Sequence, residues 1–305
     1  MRGRRIQHMK RNLYYLVCAL VLVALTSFAT APVAKARDTA ANLQEGFVQE
    51  IDLGKARLLS IVDSPTTFEA SLLTPKNREA LPGGRFSGVV KTWLLLVDNR
   101  KILFDAGWGT HRGHHGTTVR ILKEHGIAPE EITDIVMTHL DNDHVGGLAH
   151  DGKAAFAKAT LHVSDLEYTA WMKDLTNRSK EAAAFTKSMV RPYPVRTFAY
   201  DTEILPGIWA RDAHGHTPGH TIYDLDFGGR KMAILGDIMH IAAVQLRFPG
   251  ASTSYDMDVT AAAQSRLATF RRLARNKTLM GGMHFPQTGY IREHVNGSFG
   301  IEEAR

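Results

Sequence analysis

The strongest constraint on this chain is a strand-like segment that leads directly into a cluster of metal-binding side chains. The apolar run 132–137 is typical of a strand that is buried on both faces. Two histidines and two aspartates follow within six residues, at His139, Asp141, Asp143 and His144. Gly146 and Gly147 then allow the backbone to turn tightly away. Imidazole and carboxylate donors suit zinc, manganese or iron, so the cluster indicates a metal site rather than an ordinary polar loop.

The same arrangement recurs at four other places in the sequence. An apolar, strand-like segment ends on a histidine or an aspartate at Asp105, His216, Asp237 and His284. In a sheet that is packed between helices, strand ends at one edge converge in space and form sites. Five such ends from separate parts of the sequence are hard to explain by packing alone. We therefore expect these side chains to lie around one site.

Helices alternate with the strands, which predicts an α/β fold. The apolar spacing and the capping residues predict helices over residues 117–124, 165–172, 180–189 and 259–274. Residues 92–97 and 101–104 predict a hairpin that turns at Asp98 and Asn99. Because no repeat, linker or low-complexity segment interrupts this pattern, we expect a single domain over residues 37–305.

The first 36 residues have the pattern of a secretory signal peptide. A basic start precedes an almost wholly apolar run over residues 13–31, and Ala34-Lys35-Ala36 matches a small-x-small cleavage site. A retained membrane anchor is the alternative interpretation. The pattern predicts a periplasmic or secreted protein without stable membrane association after the leader is cleaved.

Removal of the leader changes what the net charge implies. The chain has 37 lysines and arginines against 31 aspartates and glutamates, and six basic but no acidic residues lie within residues 1–36. Because 37 minus 6 leaves 31, the mature chain is formally neutral, which argues against nucleic-acid binding. The only cysteine, Cys18, also lies in the leader. Any metal must therefore be held by histidine and aspartate rather than by thiolates.

In combination, these motifs resemble those of the metallo-β-lactamase superfamily over residues 45–295. His139-x-Asp141-x-Asp143-His144 is similar to the HxHxDH signature of that family. Asp105-Ala106-Gly107 resembles the first motif, which supplies an acid beside the ligands, and the segment 215–220 resembles the third. The resemblance implies an αββα sandwich of two mixed sheets flanked by helices. Residues 236–245 and the leader are most similar to the methyl-parathion-hydrolase-like branch, which has relatives that act on lactones and esters.

The resemblance also implies two divalent metal ions, in the first place zinc. One ion is expected on His139, Asp141 and His216, the other on Asp143, His144 and His284, with Asp237 between them. Asp141 departs from the family, which has a second histidine there. Since a carboxylate is harder than imidazole and negatively charged, manganese or iron becomes an alternative to zinc. A further alternative is that Asp141 turns away and leaves the first metal site weak.

The expected function is that of an exported dinuclear hydrolase whose metal-bound hydroxide cleaves a small ester, lactone or phosphotriester. Asp237, which bridges the ions, and Asp143, which can carry a proton to the leaving group, are the expected catalytic residues. The alternatives are a β-lactam hydrolase and a non-hydrolytic metal protein, either a mononuclear iron oxygenase or a binder. The expected partner is a small-molecule substrate, and a homodimer is an open option. The roles of three further histidines stay open: His214, His220 and His240.

Overall fold

Two seven-stranded sheets form the centre of the structure, a computed structural model that describes residues 43–81 and 83–304. The predicted leader lies outside the described residues, so its cleavage and the boundary at residue 37 stay predictions. Among the helices of the described ranges, none is long and apolar enough to cross a membrane.

The first sheet comes from the amino-terminal part of the chain. In spatial order its strands are β1 (Val48–Asp52), β2 (Ala56–Glu69), β3 (Arg85–Val97), β4 (Arg100–Phe104), β5 (Asp134–Val136), β8 (Thr160–Ser164) and β9 (Val195–Phe198). The strands from β1 to β4 are antiparallel, whereas β4, β5, β8 and β9 run parallel to one another. A separate small sheet pairs β6 (Ala149–His150) with β7 (Lys153–Ala154).

The second sheet comes from the carboxy-terminal part and follows the order of the sequence. Its strands are β10 (Glu203–Leu205), β11 (Ile208–Asp212), β12 (Thr221–Leu225), β13 (Met232–Ile234), β14 (Leu279–Gly281), β15 (Gly289–Glu293) and β16 (Phe299–Glu303). Only β13 and β14 are parallel among the strand pairs of this sheet. Both sheets are therefore mixed.

The α-helices of the described residues lie where the sequence predicts them, with two short additions. They are α1 (Thr118–Glu124), α2 (Asn142–Val145), α3 (Asp165–Met172), α4 (Lys180–Val190), α5 (Ala242–Gln245) and α6 (Val259–Asn276). Local capping sets the boundaries: Ser164 Oγ accepts a hydrogen bond from Glu167 N, and Asp258 Oδ1 accepts from Thr260 N. The single-turn helices α2 and α5 were not predicted, because four residues are too few to show a helical period.

Three apolar clusters separate the layers of the molecule. Trp93 of the first sheet packs with Tyr223 of the second in a core between the sheets. On its outer face, the first sheet packs against Trp171 of α3 in a second core, and the second sheet packs against Phe270 of α6 in a third. The order of layers is helix, sheet, sheet, helix. The predicted αββα sandwich is confirmed.

Strand β5 shows why the apolar run before the metal-binding cluster is necessary. All three of its residues are buried. Because side chains alternate between the faces of a strand, Ile135 points into the core beneath the helices, whereas Val136 points into the core between the sheets. A strand covered on both faces is held firmly, so the residues that follow it start from a rigid position.

Lys91 of β3 is an unusual residue in the interior of the protein, because its side chain can carry a charge and yet the residue is only 1% exposed. Its ammonium group donates a hydrogen bond to the backbone oxygen of Pro286 over 3.3 Å and lies 4.6 Å from the centre of the Trp93 ring. Burial lowers the pKa of Lys91 from 10.5 to about 7. The folded protein therefore disfavours the proton that the unfolded chain binds.

Substitution of Lys91 by methionine is expected to raise the free energy of unfolding by about 3 kcal/mol at pH 7, and by much less near pH 10. Between the two pKa values the unfolded parent binds the extra proton, so the stability of the parent rises with pH while that of the variant does not. Urea unfolding of both proteins at the two pH values measures the difference. Lys101→Met, at a partly exposed lysine, is the control and should show no such pH dependence. An equal gain at both pH values would contradict the prediction.

Candidate metal centre

Loops from both sheets meet in one buried cluster of histidine and aspartate side chains. In the first sheet, Asp105 follows β4 directly, and the segment after β5 carries His139. In the second sheet, Asp237 follows β13, His284 follows β14, and His216 lies in the loop between β11 and β12. The structure thus brings together the strand ends that the sequence singles out, and it places all seven candidate ligands in this cluster.

The first group of donor atoms comprises His139 Nε2, Asp141 Oδ2 and His216 Nε2. Asp141 Oδ2 lies 3.7 Å from His139 Nε2 and 3.3 Å from His216 Nε2. Tetrahedral ligands at zinc–nitrogen distances of about 2.0–2.1 Å stand about 3.4 Å from one another. The spacing of the three atoms therefore suits a single ion, and Asp141 faces the site instead of turning away.

The second group of donor atoms comprises Asp143, His144 and His284. Asp143 Oδ2 lies 3.6 Å from His144 Nε2 and 3.4 Å from His284 Nε2. Asp143 and His144 belong to α2, so one short helical turn directs an aspartate and a histidine to the same side. This group has the same spacing as the first and can hold a second ion.

The carboxylate of Asp237 lies between the two groups. Its Oδ2 is 3.6 Å from His139 Nε2 and 3.4 Å from His216 Nε2, in the first group. Its Oδ1 is 3.4 Å from His144 Nε2, and its Oδ2 is 2.8 Å from His284 Nε2, in the second group. Burial raises the pKa of Asp237, but the surrounding imidazoles, above all that of His284, outweigh burial and hold the pKa well below its usual range. Asp237 is therefore a permanent anion that both groups share.

Buried polar atoms without partners show that the cluster fits a cation. Among the described residues, His139 Nε2, His144 Nε2, His216 Nε2 and Asp237 Oδ1 are buried and make no hydrogen bond. Native proteins rarely leave such atoms unsatisfied, because their desolvation costs free energy. All four atoms face the same centre, and each can offer a lone pair. Divalent metal ions would satisfy these atoms together.

The other ring nitrogen of several ligand histidines is held by a fixed partner. This arrangement sets the tautomer and the ring orientation, and it is typical of ligated imidazoles. Three of these pairs are His144 Nδ1 with Asp105 Oδ2 at 2.7 Å, His216 Nδ1 with Asp256 Oδ1 at 3.1 Å, and His284 Nδ1 with the oxygen of Val89 at 3.0 Å. Each Nε2 is thereby left to point into the centre.

Asp105 lies beside the ligands and links two of the converging strands. Its carboxylate accepts hydrogen bonds from Thr138 N at 2.7 Å and from Thr138 Oγ1 at 2.6 Å, in addition to its contact with His144. Its backbone has a φ of 55°, a left-handed conformation in which aspartate is enriched among residues other than glycine. The strand end therefore turns at Asp105, which fixes the start of the metal-binding segment without reaching the metal-facing atoms.

The structure places His214, His220 and His240, whose roles the sequence leaves open, in different surroundings. His220 is buried, and its Nε2 accepts a hydrogen bond from Asp237 N at 2.9 Å, so it fixes the backbone of the shared ligand. His240 is also buried, with Nε2 3.1 Å from Asp237 Oδ2 and its ring stacked on that of His284. His214 is exposed and contacts Asp212. His220 and His240 therefore belong to the centre, whereas His214 does not.

Three charged residues beside the ligands were not predicted from the sequence. Asp256 contacts His216, Arg178 binds Asp141 through two hydrogen bonds, and Glu167 accepts hydrogen bonds from the loops that carry the ligands. In the sequence they look like ordinary loop and helix-terminal charges, and none lies next to a ligand. Only their contacts in the folded chain distinguish them.

Comparison with known proteins gives the class of this chain. The family model described as the metallo-beta-lactamase superfamily matches residues 86–279, and the chain belongs to this superfamily. Among curated proteins, it is similar to an N-acyl homoserine lactonase of Bacillus cereus, with 27% identity over 175 residues that cover 49% of this chain and 60% of the relative. A lactonase of the same name from a Bacillus species is 31% identical over 103 residues, or 33% of this chain and 36% of the relative. The chain thus spans between about one third and three fifths of the length of these relatives.

Solved structures extend the likeness over most of the chain. The hydrolase AbOPH in the beta-lactamase superfamily is 26% identical with a TM-score of 0.76, covering 86% of this chain and 99% of that protein. AidC, a dizinc quorum-quenching lactonase in complex with its product N-hexanoyl-L-homoserine, has a TM-score of 0.76 and 21% identity, covering 87% of this chain and 99% of AidC. At that identity, the likeness to AidC shows the shared fold.

Proposed function

We propose that this chain is a metal-dependent hydrolase that opens the ring of small lactones of the N-acyl homoserine type. The observation that carries the proposal is the Asp237 carboxylate, which lies between two groups of donor atoms at spacings that suit two ions. A pair of divalent ions in such a centre supplies an acidified water and a Lewis acid for the attacked carbonyl. The lactonase relatives support the choice of substrate class.

In this proposal the chain provides a rigid set of ligands. His139, Asp141 and His216 would hold one ion, Asp143, His144 and His284 would hold the other, and Asp237 lies between the two groups. The donors are nitrogen and oxygen only, which fits zinc, with manganese or iron as alternatives. Asp105, Asp256 and the backbone of Val89 keep the rings in position.

The exposure of the ligands supports an approach of the substrate from one side. The side chains of Asp143 and Asp141 are 20% and 15% exposed, whereas the ligand histidines are 4% exposed or less. Tyr255 is 38% exposed, and its ring lies 5.4 Å from that of His240. Partial burial raises the pKa of the Tyr255 hydroxyl, so it keeps its proton and can donate a hydrogen bond to a substrate oxygen. Its ring offers an apolar contact for an acyl chain.

Asp143 is placed to move a proton in the proposed reaction. It is the most exposed of the ligand carboxylates and therefore lies closest to an entering substrate. When the ring opens, the leaving alkoxide oxygen needs a proton, and a carboxylate at the opening could accept the proton that the attacking water releases and pass it to that oxygen. Asp237 is buried among the histidines and holds the ligand groups together instead.

The predicted leader over residues 1–36 adds export to the proposal. A periplasmic or secreted enzyme would meet diffusible small molecules outside the cytoplasm. Fractionation of cells that express the full chain, together with the mass of the exported protein, tests this part separately. A full-length protein retained in the cytoplasm would contradict it.

The central experiment combines metal analysis with a panel of substrates. The purified protein is expected to hold two divalent ions per chain and to hydrolyse N-acyl homoserine lactones faster than aryl esters, phosphotriesters or β-lactams. Exhaustive chelation should abolish turnover, and added zinc or manganese should restore it. His214→Ala is the matched control, because His214 lies in the same loop as His216 but outside the centre. This variant should keep the parental rate.

The same experiment separates the alternatives. Full activity of a metal-free protein would overturn the metal mechanism. Faster turnover of a β-lactam or a phosphotriester would overturn the lactone assignment and leave a hydrolase of another substrate class. One iron per chain without hydrolysis would instead favour an oxygenase, and metal binding without turnover would favour a binder.

A further inference from the structure

Asp141 contacts Arg178, a residue that lies outside the metal-binding signature. Arg178 lies in the loop between α3 and α4, directly before Ser179, whose hydroxyl caps α4 by accepting a hydrogen bond from Ala182 N. Arg178 Nε donates to Asp141 Oδ1 at 2.9 Å, and Arg178 Nη2 donates to Asp141 Oδ2. The side chains are 18% and 15% exposed. This pair is bidentate and mostly shielded from water, which is the strong form of a charge-assisted contact.

The contact determines where the Asp141 carboxylate points. Asp141 occupies the N-cap position of α2, but its side chain makes no capping hydrogen bond. Instead, Oδ2 faces His139 and His216 while it also accepts from Arg178. Helix α4 holds the adjoining backbone as well, since Thr186 Oγ1 donates to the oxygen of Leu140 at 3.0 Å. One helix and the loop before it therefore position both the backbone and the side chain at this ligand.

The charge of the pair has a clear consequence for the centre. The carboxylates of Asp141, Asp143 and Asp237 face the centre and would give the ligand set three negative charges. A histidine at position 141, as in the usual signature, would leave two. The guanidinium of Arg178 adds one positive charge in direct contact, which returns the total to two negative charges. Asp141 and Arg178 together thus have a net charge of zero, the same as one neutral imidazole.

We propose that Arg178 is a positioning residue: it orients the Asp141 carboxylate and compensates its negative charge, so that the neutral pair takes the place of the histidine in the usual signature. The inference rests on the metal centre of the proposed function. It has a specific consequence: the two residues work only as a pair. With histidine at position 141, Arg178 becomes a partly buried cation that faces a neutral ring and a metal ion, without the anion that compensates it.

Four proteins test the inference: the parent, Asp141→His, Arg178→Met and the double variant. Zinc affinity and stoichiometry are measured on the metal-free full chain by competition with a chromophoric chelator. Each single variant should lose about tenfold or more in zinc affinity. Asp141→His leaves the Arg178 cation without its anionic partner, and Arg178→Met leaves the Asp141 carboxylate without the contact that orients it. The double variant should regain the parental affinity within about threefold, since a neutral imidazole then faces a neutral side chain.

A matched control and the far-UV circular dichroism of each variant separate this role from a general loss of structure. Arg272→Met removes a comparable arginine–carboxylate contact, in which Arg272 Nη1 donates to both carboxylate oxygens of Asp224, and the described contacts of Arg272 include no metal-facing side chain. Zinc affinity should not change in this control. Equal effects of Arg178→Met in the parent and in the Asp141→His variant would overturn the inference. So would full zinc affinity of Asp141→His alone. A parent that binds no metal would instead overturn the proposed function.

Discussion

Asp237→Ala is expected to reduce lactone hydrolysis about a thousandfold or more and to leave at most one tightly bound metal ion per chain. Asp237 is the carboxylate that lies within 3.6 Å of ring nitrogens from both ligand groups. Its removal would take an anion from both groups of donor atoms, and the loss of several kcal/mol of transition-state stabilisation corresponds to a rate factor of about this size. Metal content and turnover, measured on the same preparation, give the result.

The fold should survive this substitution. The backbone hydrogen bond from Asp237 N to His220 Nε2 does not depend on the side chain. Asp212→Ala is the control, because Asp212 contacts His214 at the surface instead of the centre, and it should keep the parental rate and metal content. Parental turnover of Asp237→Ala, or two tightly held ions in it, would contradict the shared-ligand role.

Glu167→Ala is expected to lower the free energy of unfolding by about 3–5 kcal/mol and to weaken metal binding in addition. The Glu167 carboxylate is completely buried and accepts four hydrogen bonds. The donors are Leu140 N at 2.9 Å, Trp171 Nε1 at 2.7 Å, Thr217 Oγ1 at 2.7 Å and Gly219 N at 2.9 Å. The substitution leaves all four without this acceptor.

The expected effect on metal binding follows from where these donors lie. Leu140 is between two ligands of the first group, and Thr217 follows His216 directly, so Glu167 ties together two loops from different sheets. Chemical denaturation and zinc competition measure the two effects. Glu124→Ala, which removes an exposed carboxylate paired with Arg120, should change stability by less than about 1 kcal/mol. A change of the same small size in Glu167→Ala would contradict the prediction.

The parts of the fold that could be predicted are those with a local signal. The apolar run before His139 indicates a strand covered on both faces, and β5 has this environment. The hairpin turn was also predicted: β3 and β4 pair Val97 with Arg100 across Asp98 and Asn99, with a φ of 50° at Asp98. In contrast, β3 starts at Arg85, earlier than predicted, because its first residues are irregular in hydrophobicity and gain their order by pairing with β2.

The ligands could be proposed from the sequence because their chemistry is concentrated at strand ends. The residues that position these ligands could not be proposed from the sequence, because their contacts join positions that are far apart in the chain. Arg178 is 37 residues from Asp141, and Asp256 is 40 residues from His216. An arginine in a loop or an aspartate before a helix has many ordinary roles, and no local period separates these from a role beside a metal. Only the packing of α3, α4 and the loop before α6 reveals it.

The division of the ligands between the two sheets sets the order of events in biosynthesis. Residues 48–198 supply the strands of the first sheet and residues 203–303 those of the second, so the early half of the chain has only part of the donor set when it leaves the ribosome. His284 is made last among the ligands. The complete donor set therefore exists only after His284 has been synthesised and both sheets have formed.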